Sequence, residues 1–161
     1  MWPLAELTGG VVIALLLRRF VCMFAYVKGR SMLDTLQDGE ILFAKRRRKN
    51  EPIKRFDVVL CRYPDRKGLF VKRVVGLSGE TIAIEEDVLW VNGEAIPEDF
   101  SRRKCLRPMT ERIVSDGACF VMGDNRPASR DSRSIGPISE EDIIAIAKYV
   151  VFPFRKIRKI H

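Results

Sequence analysis

Histidine is nearly absent from this chain: among 161 residues there is one, His161, at the last position. A serine or cysteine nucleophile of the triad type needs a histidine base that a third group holds in place. Nothing in the sequence would fix His161, so we expect no histidine triad. If a serine is the nucleophile here, lysine is the remaining candidate for its base.

Cysteines are few and widely spaced, at Cys22, Cys61, Cys105 and Cys119. The chain has no C-x-x-C pair and no histidine near a cysteine, which argues against a zinc site. A disulfide between Cys105 and Cys119 is compatible with the spacing but not required by it. We therefore expect no metal and no cofactor.

Long amphipathic helices, internal repeats and low-complexity linkers are also missing. After Thr35 the chain shows short segments rich in β-branched and aromatic residues, separated by turn signals such as Asp38-Gly39 and Asn92-Gly93. The predicted strands are 41–44, 57–63, 69–77, 81–91 and 118–123. Ser139 is expected to cap one short helical turn. The pattern predicts a mostly β, antiparallel domain.

The N-terminus differs in composition from the rest of the chain. Residues 7–17 read LTGGVVIALLL, Arg18 and Arg19 follow, and apolar residues resume up to Val27. Snorkelling of the two arginines extends this apolar stretch to about the length of a bilayer span. We predict one N-terminal transmembrane helix within a membrane-anchoring segment 1–27, in preference to a buried helix, and a folded domain over 28–161. A cleaved signal peptide fits less well.

Positive charge is in excess: the formal net charge is +8 and the pI is near 9.6. Residues 45–55, KRRRKNEPIKR, contain seven basic residues in eleven. We expect a solvated β-hairpin loop there; anionic lipid is the next interpretation and nucleic acid the last. The final FPFRKIRKIH alternates apolar and basic residues, a pattern suited to a membrane surface.

Ser31 follows the apolar segment in the stretch VKGRSMLDTL, and a lysine lies within the predicted strand LFVKRVVGL. Strand periodicity puts Lys72 on one face with Phe70 and Val74. Burial there would lower the lysine pKa; a shift of about three units corresponds to roughly 4 kcal/mol. An exposed edge position for Lys72 is the alternative.

A polar segment, GDNRPASRDSRSIG at 123–136, is too patterned for an ordinary loop. Its Ser129, Asp131 and Arg133 alternate and would face one way in an extended chain, where they could brace a site. The Asp-Asn-Arg-Pro part is also a favourable turn. An S-x-x-K match at Ser101 to Lys104 lacks its S-D-N and K-T-G companions, and we discount it.

Three of these motifs together resemble the type I signal peptidases (leader peptidases), in the compact single-anchor form found in Gram-positive bacteria. That family carries a G-x-S-M-x-P-T-L box, a strand V-K-R-V-x-G-x-x-G-[DE] and a G-D-N-R-x-x-S-x-D-S-R box. The corresponding segments here are GRSMLDTL, VKRVVGLSGE and GDNRPASRDSR. RFDVVLCRYP and the final FPF extend the resemblance over nearly the whole chain after the anchor.

The resemblance implies that Ser31 is the nucleophile and Lys72 its general base. It implies that Ser129 hydrogen-bonds the Lys72 amine and that the Ser31 N–H helps to form the oxyanion hole, for which Gly29 offers no hydroxyl. Two ion pairs are also implied: Arg73 with Asp124, and Arg133 with Asp131. One departure is Asp34, which stands where the family has a proline.

The implied function is a membrane-bound serine endopeptidase that removes N-terminal signal peptides from secreted preproteins after a small-x-small motif. We expect Met32, Phe70 and Val71 to contact the substrate, and the partners to be preproteins and membrane lipid, not nucleic acid. The family implies a single-pass protein whose catalytic domain is extracytoplasmic, although the basic residues that follow the anchor would by the positive-inside rule favour the cytoplasm.

Two other classes of function stay open at the level of sequence. A repressor-type self-cleaving peptidase shares the Ser-Met start and a strand lysine, but it lacks the GDNRxxSxDSR box and has a DNA-binding domain in place of an apolar segment. A catalytically weak or silent relative that binds lipid or nucleic acid is the second alternative, and Asp34 is the residue that favours it.

Overall fold

The computed structural model describes residues 21–101 and 108–161, which form two antiparallel β-sheets. The strands are β1 Cys22–Tyr26, β2 Ile41–Arg46, β3 Val58–Tyr63, β4 Arg66–Gly76, β5 Thr81–Glu85, β6 Val88–Val91, β7 Glu94–Ile96, β8 Met109–Ile113, β9 Ala118–Met122, β10 Ile138–Ser139, β11 Ile143–Phe152 and β12 Arg158–Lys159. The helices are α1 Ser132–Ile135 and the 3₁₀ turns Arg126–Ala128, Glu140–Asp142 and Phe154–Lys156. The predicted antiparallel β class is confirmed.

The larger sheet has the order β1-β2-β11-β3-β4-β9-β10, and β12 pairs with β11. Strand β11 therefore lies between β2 and β3. The basic segment that joins β2 to β3 crosses over β11, so the predicted β-hairpin loop at 45–55 is wrong. A hairpin would require β2 and β3 to be neighbours, and the long apolar strand β11 occupies that position instead.

The smaller sheet has the order β7-β6-β5-β8. The predicted strand 81–91 is in fact two strands, β5 and β6, joined by a tight turn. Glu86 has a φ of 47° and Asp87 a φ of 66° at this turn. Positive φ at both central residues is the geometry of a hairpin turn that matches strand twist. Glu86 and Asp87, which the sequence analysis placed inside one strand, therefore form the turn.

The loop after β1 is fastened to the core by its own apolar residues. Met32 is 2% exposed and Leu36 is fully buried, and both pack in a cluster with β1, β2, β3 and β11. Burying each such side chain contributes roughly 1.5–3 kcal/mol. Ser31 therefore lies on a loop that is fixed at Met32 and again at Leu36.

The predicted transmembrane helix falls mainly on residues 1–20, which lie outside the described residues. Its membrane-proximal end, Cys22–Tyr26, is strand β1 and pairs with β2 in the larger sheet. Within residues 21–101 and 108–161, no helix has the length and apolar character needed to span a bilayer.

Two smaller predictions concern the cap at Ser139 and the disulfide between Cys105 and Cys119. Ser139 caps the short turn Glu140–Asp142, and its side chain accepts a hydrogen bond from the Glu141 N–H. The turn ends at Asp142 because the β-branched residues that follow it form strand β11. Cys105 lies outside the described residues, and Cys119 is a free, buried thiol in the part of the chain that is described.

Candidate active site

Ser31 and Lys72 meet although they are separated by 41 positions in the sequence. The Lys72 Nζ donates to the Ser31 Oγ at 2.8 Å and to the Val71 carbonyl oxygen at 2.9 Å. Lys72 lies in β4, which is flanked by β3 and β9, and it is 3% exposed. The edge position considered from the sequence is therefore excluded, because β4 is an interior strand.

The surroundings of Lys72 lower the pKa of its amine. Burial is the main cause, because a charged ammonium loses its hydration inside the protein. The carboxylates of Asp131 and Asp124 act in the opposite direction, but burial outweighs them. Burial also raises the pKa of the nearby Cys61 thiol to about 12, so this thiol is uncharged at neutral pH. A neutral lysine amine beside a serine hydroxyl can accept its proton.

Arg73, the next residue along β4, points to the opposite side of the strand and pairs with Asp124. Its Nε and Nη2 donate to the two carboxylate oxygens at 3.0 and 2.9 Å, and neither side chain is more than 1% exposed. The Thr35 hydroxyl donates to Asp124 Oδ2 at 2.5 Å. Because Thr35 follows Ser31 in the same loop, this buried pair connects the Ser31 loop to β4 and β9.

The second predicted pair is also present. Arg133 donates through Nε and Nη2 to the two oxygens of Asp131, at 2.8 and 2.9 Å. Asp131 Oδ2 accepts as well from the Gly123 N–H at 3.0 Å. Arg133 Nη2 reaches the Ser129 carbonyl oxygen at 3.3 Å. The pair thus holds the polar segment folded against the end of β9, next to the dyad.

Ser129 is placed near the dyad but does not make the expected contact. Its Oγ is buried and has no hydrogen-bond partner among the described residues, so the predicted bond to Lys72 is absent. A Cβ built at Gly123 would lie 2.3 Å from Ser129 Oγ and 2.4 Å from the Ser31 carbonyl oxygen. Ser129 is therefore packed close to the Ser31 backbone, and its hydroxyl makes no hydrogen bond with the described residues.

Asn125 is a site residue that the sequence analysis missed. Its N–H donates to the Ser31 carbonyl oxygen at 3.0 Å, and its Nδ2 donates to the Arg30 carbonyl oxygen at 2.8 Å. These two bonds hold the backbone on both sides of Ser31. The turn pattern Asp-Asn-Arg-Pro had suggested only a local role, and no sequence signal shows that this turn lies against a loop 95 positions away.

The two unusual positions around Ser31 have distinct roles. Gly29 has a φ of 98°, which favours glycine, and its N–H donates to Asp38 Oδ1 at 2.6 Å. Asp34 has a φ of 90°. A proline ring fixes φ near −65°, so the family's proline could not adopt this conformation. At Asp34 the loop thus has a conformation that excludes proline, and it still brings Ser31 to Lys72.

The predicted substrate-contacting residues divide into two groups. Met32 is buried in the core, so its side chain has no surface to offer to a substrate, and that expectation needs correction. Phe70 is half-buried and stacks on Tyr63 with 4.2 Å between ring centroids. Val71 is also half-buried, and its carbonyl oxygen contacts the Lys72 amine. Phe70 and Val71 directly precede Lys72 in β4.

Comparison with known proteins gives a consistent result. Residues 4–152 match the family model described as signal peptidase, peptidase S26. Signal peptidase I of Bacillus licheniformis is 37% identical, over 92% of this chain and 87% of that protein. Signal peptidase I T of Bacillus subtilis (strain 168) is 36% identical, over 92% of this chain and 83% of that protein.

A solved structure is similar as well. The crystal structure of a signal peptidase I from Enterococcus faecalis V583 matches with a TM-score of 0.54 and 27% identity. The match covers 60% of this chain and 97% of that one. Together with the family match over most of the sequence, these relatives show that the chain belongs to the signal peptidase family, peptidase S26, and is a serine peptidase.

Proposed function

We propose that this protein removes signal peptides from secreted preproteins through a Ser31–Lys72 dyad. The observation that carries the proposal is the 2.8 Å contact between Lys72 Nζ and Ser31 Oγ in a buried site. Burial favours the neutral amine, which is the form that can act as a base. The relatives named above, signal peptidases I, support the substrate class.

The chemistry uses the groups already described. Ser31 Oγ attacks the scissile carbonyl carbon while Lys72 Nζ takes the hydroxyl proton, and the carbonyl electron pair moves to oxygen. The Ser31 N–H stabilises that oxyanion. When the C–N bond breaks, the Lys72 ammonium returns its proton to the leaving amine. Water then attacks the serine ester, again with Lys72 as base, and releases the carboxylate product and Ser31.

Two variants test the nucleophile. Ser31→Ala should remove cleavage of a preprotein with an Ala-x-Ala site, because alanine has no hydroxyl to attack the scissile carbonyl. Ser134→Ala is the matched control, since Ser134 is an exposed serine of α1 outside the dyad. Both proteins are assayed in detergent by gel electrophoresis of the products. Cleavage that survives in Ser31→Ala would disprove the proposal.

Substrate selection should follow from the residues that flank the dyad. We expect the site beside Phe70 and Val71 to accept only small side chains at the first and third positions before the cut. A substrate with Phe at the first position should lose at least about tenfold in kcat/KM, equivalent to about 1.4 kcal/mol of transition-state binding. Equal kcat/KM for the Ala and Phe substrates would show that the pocket is not shallow.

We also propose that the protein is anchored by its N-terminal segment and that its catalytic domain rests on the outer surface of the membrane. An aromatic face supports this: five exposed side chains extend from β1 over β11 to the turn that follows it, namely Phe24, Tyr26, Tyr149, Phe152 and Phe154. Aromatic side chains are favoured at the membrane–water interface. Basic residues of the same region, Lys28, Arg155 and Lys156, are exposed and suit anionic headgroups.

Protease protection tests the topology. In spheroplasts, added trypsin should cut at Arg48 or Lys49, which are exposed in the loop after β2. A cytoplasmic marker protein should remain intact in the same sample. Cutting of this loop only after lysis would place the domain on the cytoplasmic side.

A further inference from the structure

A cavity of about 700 Å³ lies beside the loop that follows β2, and it shares no lining residue with the Ser31–Lys72 site. Basic side chains from that loop form one wall. The acidic turn before β11 and the start of β11 form the opposite wall, where Ile143 and Ile144 add apolar surface. The cavity thus combines positive charge with an apolar floor.

Two of the three basic residues in the wall are already neutralised. Arg47 Nη2 pairs with Glu140 at 2.7 Å, and its side chain is 6% exposed. Lys49 pairs with Glu141 at 3.1 Å. Both carboxylates of the opposite wall are therefore engaged. Among the described lining residues, any remaining positive charge comes from the third basic residue.

That third residue is Arg46, whose side chain makes no hydrogen bond or ion pair with the described residues. Its Nε is a buried donor without an acceptor. Buried polar groups in proteins are almost always satisfied by protein, solvent or ligand. A guanidinium also binds phosphate-type oxyanions through paired N–H donors. Arg46 is therefore the cation of the described lining that no described carboxylate neutralises, and its guanidinium is the group that would bind an anion in the cavity.

The cavity lies where the chain emerges from its apolar N-terminal segment. The Arg46 N–H donates to the Val21 carbonyl oxygen at 2.9 Å, and Lys45 is opposite Cys22 in the β1–β2 ladder. If residues before Val21 anchor the protein, as proposed above, Arg46 lies close to the headgroup region. The inference that follows rests on that membrane anchoring.

We propose that this cavity binds the phosphate group of an anionic phospholipid, with the Arg46 guanidinium as its main ligand. Ser139 also lines the cavity, and Ile144 offers apolar contact to the acyl-chain end of the lipid. Nucleic acid fits less well, because its binding needs a row of unpaired cations and exposed aromatic rings for stacking. Among the described residues of the lining there is one unpaired cation and no aromatic residue.

Short-chain lipids test the proposal with the full chain in a neutral, lipid-free detergent. Binding of dihexanoyl phosphatidylglycerol, dihexanoyl phosphatidylcholine and inorganic phosphate is measured by calorimetry at constant ionic strength. Phosphatidylglycerol should bind at least about tenfold more tightly than either of the others, a difference of about 1.4 kcal/mol. If inorganic phosphate binds as tightly as phosphatidylglycerol, the cavity is a general oxyanion site. If phosphatidylcholine binds as tightly, the lipid binds through its acyl chains alone. Either result overturns the proposal.

Two variants with the same charge change locate the site. Arg46→Gln should raise the Kd for phosphatidylglycerol at least about tenfold. Arg48→Gln should change it less than about twofold, because Arg48 is exposed and does not line the cavity. An equal loss of phosphatidylglycerol affinity in both variants would mean that the lipid is attracted to the basic loop as a whole. That result would overturn the proposed site.

Two further measurements keep the result interpretable. Should Arg46→Gln fail to fold, Asn50→Asp places a negative charge at the exposed rim of the cavity and should weaken phosphatidylglycerol binding in the same way. Unchanged binding in Asn50→Asp would then contradict the proposal. Cleavage of a soluble peptide in the same detergent should be equal in wild type and Arg46→Gln, so a failure of the lipid site is separable from a failure of the peptidase.

Discussion

Replacing Lys72 by arginine will remove peptide cleavage as completely as replacing it by alanine. Arginine keeps the positive charge and much of the length, but it does not deprotonate in the working pH range. Loss of a general base in a serine peptidase lowers kcat by at least about 10³-fold. The matched control is Lys67→Arg, on an exposed position of the same strand β4, which should cleave like wild type.

The pH dependence of the wild-type enzyme gives an independent check on the base. Only the deprotonated amine accepts a proton, so kcat/KM should rise with pH through the pKa of Lys72 in the free enzyme. Burial lowers that pKa, so the rise should lie below the ordinary lysine value near 10.4. His161→Ala should leave the profile unchanged, because only the main-chain oxygen of His161 contacts Arg73. A profile that lost its acidic limb in His161→Ala would refute the lysine mechanism.

Protein stability reports the same pKa without any substrate. Between the lowered folded pKa of Lys72 and about 10.4, the unfolded chain binds more protons at this residue than the folded protein does. The contribution of Lys72 to the free energy of unfolding therefore increases with pH in that window. Lys72→Met removes this contribution. The free energy of unfolding of the wild type minus that of Lys72→Met should therefore increase with pH in that window. A flat difference would show that the pKa is not lowered.

How far the sequence predicted this site depends on the range of the interactions. Strand periodicity correctly put Lys72 on a face with apolar neighbours, because that pattern is local. Its burial was left open, because burial depends on β3 and β9 lying on either side of β4. The Ser31–Lys72 contact was expected only through the family motifs. Pairings with such large sequence separation leave no mark in periodicity.

The incorrect fold predictions have the same origin. Residues 45–55 were expected to form a hairpin loop because charge and turn residues separate two strands, but β11, far along the chain, inserts between them. The segment 81–91 was predicted as one strand because it is rich in β-branched and aromatic residues, but Glu86 and Asp87 form a turn within it. The hydrogen bond from Asn125 to the Arg30 carbonyl oxygen, which holds the Ser31 loop, also depends on a contact between distant segments. Local patterns predicted the element types, and tertiary contacts determined their neighbours.

Gly123 tests whether those distant contacts position the nucleophile. Its φ lies outside the left-handed region, so a side chain is excluded there by contacts alone. An alanine Cβ would lie 2.4 Å from the Ser31 carbonyl oxygen and 2.6 Å from Ser129 Cβ. Both distances are too short for non-bonded atoms, so Gly123→Ala must move the backbone at Gly123 and the backbone at Ser31 apart. A displacement of about 1 Å lowers kcat about 10²-fold, and the overpacking costs about 1–3 kcal/mol of stability.

Gly136→Ala separates these two effects. Gly136 has a φ of 84° with no atom near the position of a Cβ, so alanine there strains the backbone and leaves Ser31 in place. It should lower the Tm and keep kcat, whereas Gly123→Ala should lose kcat even at temperatures where it is fully folded. Thermal unfolding by circular dichroism and single-turnover cleavage measure the two quantities. A parallel loss of kcat in both variants would show that instability alone explains the effect.

Removing the Ser129 side chain identifies which contact matters most at Gly123. In Gly123→Ala/Ser129→Gly, the clash with Ser129 is gone and the clash with the Ser31 carbonyl oxygen remains. Stability should therefore recover in part, while kcat should stay well below that of Ser129→Gly alone. The reason is that the Asn125 N–H still holds the Ser31 carbonyl oxygen at 3.0 Å, so the backbone cannot move aside without breaking that bond. Full recovery of kcat in the double variant would mean that Ser129, and not the Ser31 backbone, transmits the effect of Gly123 to the nucleophile.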